Sequence, residues 1–152
     1  MYRTGLMHTA ASSTTAAFAP ARSATPPSAA EMSAAGLRAF VRIAEAWKLS
    51  VDEQLCLLGA PARSTFFAWR KNPTGAVLPR DTLERISNLL GIYKALQILL
   101  PDEAAADAWV RKPNTAAVMG GRPALAHMLA GNLADLSRVR RYLDSVRGSG
   151  WG

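Results

Sequence analysis

Leu37, Phe40, Val41, Ala44 and Trp47 return at steps of three and four residues, the period that puts side chains on one face of a helix. The spacing predicts a first helix that starts after Ser33 and runs to about Lys48. A second begins at Val51, because Ser50 and Glu53 have the spacing of a capping box, in which each side chain satisfies a free backbone donor at the helix start. Leu55 and Leu58 share one of its faces, and Gly59, which tolerates left-handed backbone, should end it. Pro61 suits the first turn of a third helix, where the N–H it lacks would be unpaired anyway. There Phe66 and Trp69 are expected to pack inward against Leu55 and Leu58, leaving Arg63, Ser64, Thr65, Phe67, Arg70 and Lys71 outward.

Two short helices joined at a glycine, the second cationic, have the pattern of a DNA-reading helix-turn-helix. Its N-terminal residues would reach base edges and its ends would reach phosphates. Helix pairs with a glycine in the turn also occur as plain packing, and a few cations on a solvated face also serve solubility alone. Phe67 fits either a thymine methyl or the core.

Asn72 to Leu78, with Pro73 and Gly75, reads as a loop. Pro79 then opens the longest helix, which runs to about Leu100, where Pro101 stops it. Two apolar stripes lie along it, one of Leu83, Ile86, Leu90 and Tyr93, the other of Leu89, Ile92, Leu96 and Leu99. A helix apolar on two sides is covered on two sides. It is therefore expected to link the helix-turn-helix to a second helical unit, with a dimer seam as the competing explanation of the second stripe. From Asp102 onward caps and breakers are dense. Asp102 is expected to cap a helix through Ala104 to Val110, ending at Lys112 and Pro113, and Asn114 a short turn that closes at Gly120 and Gly121. Pro123 opens a helix through Leu125, Met128 and Leu129 that Gly131 ends. Asn132 with Asp135 starts a last helix, with Leu133, Leu136, Val139, Leu143 and Val146 inward and Arg138, Arg141 and Asp144 outward. Arg147 to Gly152 reads as a flexible end whose Trp151 either folds back on the core or anchors in a partner. The expected fold is all-α, a helix-turn-helix domain over residues 33–95 joined by a shared helix to a small helical unit over 96–152.

Residues 1–32 break the pattern. They are rich in Ala, Ser, Thr and Pro and read as a disordered leader. With Arg3 and Arg22 and few acids the segment loosely resembles a transit peptide, but it has no amphipathic arginine face. Translation starting at Met7 or Met32 is the competing reading. The rest of the 152-residue chain, 49% hydrophobic overall, can build a core. The whole chain's net charge of +7 and pI near 10.3 fit a polyanionic partner, although the charge is spread over several helices. Cys56, the only cysteine, excludes an intramolecular disulfide, argues against structural zinc and reads as a buried hydrophobe in a reduced cytoplasm. The richest apolar run, Leu89 to Leu100, is broken by Lys94 and Gln97 and falls short of a membrane span, so a soluble protein is expected. His8 and His127 have no base, nucleophile or metal-ligand partner at useful spacing, and Asp102-Glu103 and Asp81 with Glu84 are explained as negative charge in first helical turns. No enzyme, cofactor or metal site is expected.

Four fragments add a resemblance: Leu96 to Pro101; Trp109 with Lys112-Pro113-Asn114; GRPALAHMLAG from Gly121 to Gly131; and VRRYLDSVRGSGW from Val139 to Trp151. In this order and spacing, with LLGAPARSTFFAWRK upstream, the chain resembles the Xre/MbcA/ParS antitoxins, partners of RES-domain and related toxins. The resemblance spans about Ser33 to Gly152. It implies a type II antitoxin that acts in the bacterial cytoplasm, binds its own promoter through the helix-turn-helix and blocks a toxin through its C-terminal domain, as a homodimer within a larger complex. In RES-type systems the toxin degrades NAD and the antitoxin's C-terminal end sits at the toxin's active-site entrance. By position that role falls to Arg138, Arg141, Tyr142, Arg147 and Trp151. Ser149 stands where the family often has a second glycine, and the long leader is atypical. The alternative is a stand-alone helix-turn-helix regulator whose C-terminal helices dimerise it or sense a ligand.

Overall fold

The computed structural model describes residues 25–149. The first part of the expected leader, and Trp151, lie outside the described residues. The described residues form seven α-helices, α1 (Ala29–Ala46), α2 (Val51–Leu57), α3 (Arg63–Lys71), α4 (Arg80–Leu99), α5 (Glu103–Ala108), α6 (Ala124–Met128) and α7 (Leu133–Ser149). Single 3-10 turns at Pro73–Gly75 and Trp109–Arg111 join them, and among the described residues there is no strand.

The first helix starts at Ala29, inside the stretch read as leader and ahead of Ser33. The reason is a second capping box. Ser28 Oγ accepts from the Glu31 N–H at 3.1 Å, and Glu31 Oε2 accepts from the Ser28 N–H at 3.3 Å. Ser33 is not a boundary residue but is buried within α1, where its Oγ accepts the Leu78 N–H at 2.9 Å and ties α1 to the entry of α4.

Ser50 and Glu53 form the expected box at the start of α2, with distances of 2.9 and 3.1 Å. Gly59 follows with φ +91, and a Cβ there would lie 2.9 Å from Asp81 Oδ2 and 3.0 Å from Arg85 Nε. The position therefore needs glycine both for its backbone and for the close approach of α4. Ala60 is also left-handed, its N–H closing onto the Leu55 carbonyl at 2.8 Å. Because two successive residues turn the chain, Pro61 stands before α3 and not in its first turn; the helix opens at Arg63.

Pro79 precedes α4 as expected. This helix buries Ile86, Leu89, Ile92, Ala95 and Leu96, and it packs against α1 on one side and α7 on the other. Both stripes are thus covered within one chain, which replaces the dimer-seam explanation of the second. The buried side chains form one continuous cluster from Leu37 of α1 to Leu143 of α7. Asp102 stands at the start of α5 without a side-chain cap bond, and the helix gives way to the 3-10 turn at Trp109, earlier than expected. Asn114 Oδ1 accepts the Ala116 N–H at 2.9 Å, and Gly120 and Gly121 close that turn with positive φ. At the other end, α7 absorbs Arg147, Gly148 and Ser149, which the composition presented as a flexible tail. Gly148 is the last residue but one of α7, where a glycine costs less than in a helix interior, and Ser149 Oγ closes the final turn by donating to the Ser145 carbonyl at 2.9 Å.

Candidate functional site

Two surfaces carry the chemistry expected from the sequence. The first is α3. Phe66 is its one fully buried side chain and Trp69 packs half-buried against the core, so the rest of the helix faces out. Arg63, Ser64, Thr65, Phe67, Arg70 and Lys71 are all exposed, and steps of three and four residues join Arg63, Phe67, Arg70 and Lys71 along one side. The Phe67 ring, 45% exposed, leans against Phe66 at 5.3 Å between centroids. The Arg70 guanidinium lies over the Phe66 ring, 5.9 Å from its centroid, a cation–π contact that steadies the charge outside the core. Arg63 Nη2 donates to Asp52 Oδ1 of α2, an acidic partner the sequence reading did not single out.

The second surface is the outer side of α7. Arg138 and Arg141 are exposed and Tyr142 is half-buried, and their spacing places them side by side. Arg138 donates to buried Asp135 at 3.0 Å, and the other carboxylate oxygen of Asp135 accepts the Asn132 N–H at 3.3 Å, locking the first turn of the helix. Arg147 does not join this group. It lies nine residues, or two and a half turns, beyond Arg138 and so points to the opposite side. Trp151 is outside the described residues.

Three contacts that no local motif announces bind these surfaces into one body. Arg111, in the turn after α5, donates to the carbonyls of Trp47 (3.0 Å) and Lys48 (2.9 Å) at the end of α1 and to Glu53 Oε1 of α2 (3.1 Å). Burial raises the Glu53 carboxyl, but the Ser50 backbone N–H and the Arg111 guanidinium outweigh it and hold the group below the usual glutamate range. The Cys56 thiol, half-buried, donates to the Leu129 carbonyl at 3.3 Å. Arg140 lies across Gly91 of α4, where an added Cβ would meet its Nε at 2.5 Å, and donates to the Ser87 carbonyl at 3.4 Å. The residues joined are 53 to 73 positions apart. Sequence spacing holds no signal for them.

Arg111→Ala is expected to lower stability by about 2 kcal/mol, the scale of charge-assisted hydrogen bonds partly open to water. It should also flatten the acid limb of the stability curve. The Glu53 carboxyl is depressed in the folded protein, so its contribution is present above the unfolded carboxyl range and is lost as pH falls through the folded pKa. Urea titrations of both proteins between neutral and acid pH measure the difference, which should shrink as Glu53 protonates.

Among the described residues no three His, Cys, Asp or Glu side chains converge as a metal site. His127 Nε2 hydrogen-bonds the Met119 carbonyl at 2.7 Å, a packed histidine that fixes the preceding turn. A cleft of about 500 Å³ between α1 and α5 is lined by Ala46, Trp47, Lys48, Ala104, Ala108, Arg111, Lys112 and a single acid, Asp107, which accepts a hydrogen bond from Gln97. No helix of the described residues is long and apolar enough to cross a membrane.

Comparison with known proteins matches the chain to two described domains. Residues 26–91 match the antitoxin Xre-like helix-turn-helix domain, which takes in α1 to most of α4. Residues 95–148 match the antitoxin Xre/MbcA/ParS C-terminal toxin-binding domain, which takes in α5 to nearly all of α7. The chain is also similar to the uncharacterised protein y4oB of Sinorhizobium fredii (strain NBRC 101917 / NGR234), 50% identical over 129 residues that make up 85% of this chain and 97% of that protein.

Proposed function

Since the chain belongs to the Xre/MbcA/ParS antitoxins, with a helix-turn-helix domain followed by a toxin-binding domain, we propose that it neutralises a RES-type, NAD-degrading toxin and represses its own operon. The observation that carries the reading is the division of labour between α3 and α7. One helix presents guanidinium, hydroxyl and aromatic groups, of the kinds that contact base edges and phosphates. The other presents Arg138, Arg141 and Tyr142 within the toxin-binding domain, residue types that make strong interface contacts. Both ends then work at once, with Arg111 tying the turn after α5 to the end of α1 and the start of α2. The α4 stripes are spent inside one chain, so the homodimer of this proposal forms through another surface. Operator and toxin meet it in the bacterial cytoplasm.

Co-expression with the protein encoded by the neighbouring gene tests the reading, with growth and intracellular NAD scored against that neighbour alone. Rescue of growth with restored NAD is the expected result. Rescue without a change in NAD keeps the antitoxin and replaces the toxin's chemistry. No toxicity to rescue favours the stand-alone regulator.

A further inference from the structure

We propose that Asp52 determines the specificity of the DNA-reading surface, by fixing Arg63 for a base edge and repelling the phosphates that would otherwise capture it. The proposal rests on the reading of α3 as the recognition helix.

Asp52 is the second residue of α2 and Arg63 the first of α3, and the left-handed turn at Gly59 and Ala60 brings them together. Arg63 Nη2 donates to Asp52 Oδ1, while the two side chains remain 58% and 82% exposed. An ion pair this open adds little to folding stability. Its consequence lies in what can approach it. A guanidinium has five donors in a planar fork, and a guanine offers two neutral acceptors, O6 and N7, to two of them. Asp52 can keep its bond while a guanine takes the others. A phosphate brings its own negative charge beside the Asp52 carboxylate and is repelled. The pair therefore separates the two kinds of acceptor that DNA presents.

The rest of the surface agrees with this division. Glu53, the neighbouring acid, is already engaged by Ser50 and Arg111, which leaves Asp52 as the carboxylate facing Arg63. At the far end of α3 neither Arg70 nor Lys71 has an acidic partner among the described residues. The helix is electrically split, balanced where bases would be read and cationic where the backbone would be held.

The test uses the full-length protein and its Asp52→Asn, Arg63→Ala and doubly substituted forms. The probes are a duplex from immediately upstream of its own operon and a random-sequence duplex of the same length, over a range of salt concentrations. Asp52→Asn is expected to bind the random duplex roughly fivefold more tightly, the scale of one exposed charge pair, with a salt slope steeper by about 0.9. Affinity for the upstream duplex should rise less, so the specificity ratio falls. In the Arg63→Ala background the same change should leave the ratio unaltered, and thermal melting should shift by only a few degrees in any form, the scale of one first-turn charge. An equal gain on both duplexes, or none on either, overturns the proposal while leaving the recognition helix in place. A wild-type protein with no preference for the upstream duplex overturns the reading of α3 and the proposal with it.

Discussion

Phe66→Ala is expected to lower stability by about 3–5 kcal/mol, the cost of emptying a fully buried aromatic site, and to abolish specific DNA binding. The helix it anchors has nine residues and no side-chain cap, since Ala62 occupies the N-cap position. A helix of that length is marginal by itself and depends on its packed face. Phe66 is the only fully buried residue in α3, and Arg70 loses the ring beneath its guanidinium when it is removed. Urea unfolding gives the cost, and amide exchange should show α3 opening while α4 and α7 remain protected. Phe67→Ala is the matched control. Its ring is half in solvent, so stability should change by no more than about 0.5 kcal/mol, while operator affinity falls. A Phe66→Ala protein destabilised by less than about 1 kcal/mol would mean that Trp69 alone holds the helix, against the burial pattern.

Arg141→Glu combined with Arg138→Ala should weaken toxin binding at least roughly 30-fold, the scale of losing interface hot spots, with DNA binding unchanged. Alanine is the cleaner choice at 138. A glutamate there would stand beside Asp135, which now accepts the Arg138 bond, and like charges at that spacing also strain the helix. Calorimetry with the purified neighbour protein measures the loss, and growth on co-expression reports it in cells. Arg147→Glu should have a smaller effect, because the helix turns that side chain away from the other three. The opposite ranking would place the toxin contact on the far side of α7 and dissociate Arg138 and Arg141 from it.

These predictions draw on different depths of the sequence. The inward position of Phe66 and the outward set on α3 follow from helical period, the start of α2 from its capping box, and the length of α4 from the prolines at its two ends. The capping box at Ser28 was equally present, but it lay in a stretch whose Ala, Ser and Pro content argued for disorder. Composition is an average, whereas a cap is a local geometry, and one good cap with a helix behind it overrides the average. At the C-terminal end the same averaging failed in α7, where Gly148 and Ser149 suggested a loose tail but continue the helix, Ser149 Oγ donating to the Ser145 carbonyl one turn back.

By itself the sequence determined the helices, their inner faces, the glycine turn between α2 and α3, and the family that the order of its motifs resembles. Each of these depends on residues a few positions apart, within reach of a backbone period or a cap. Only the tertiary structure decided that α7 packs along α4, that Arg111 joins the two halves through the end of α1, and that Asp52 meets Arg63. Those contacts depend on where distant helices come to rest, which is set by the packing of the shared core and has no local spacing to betray it.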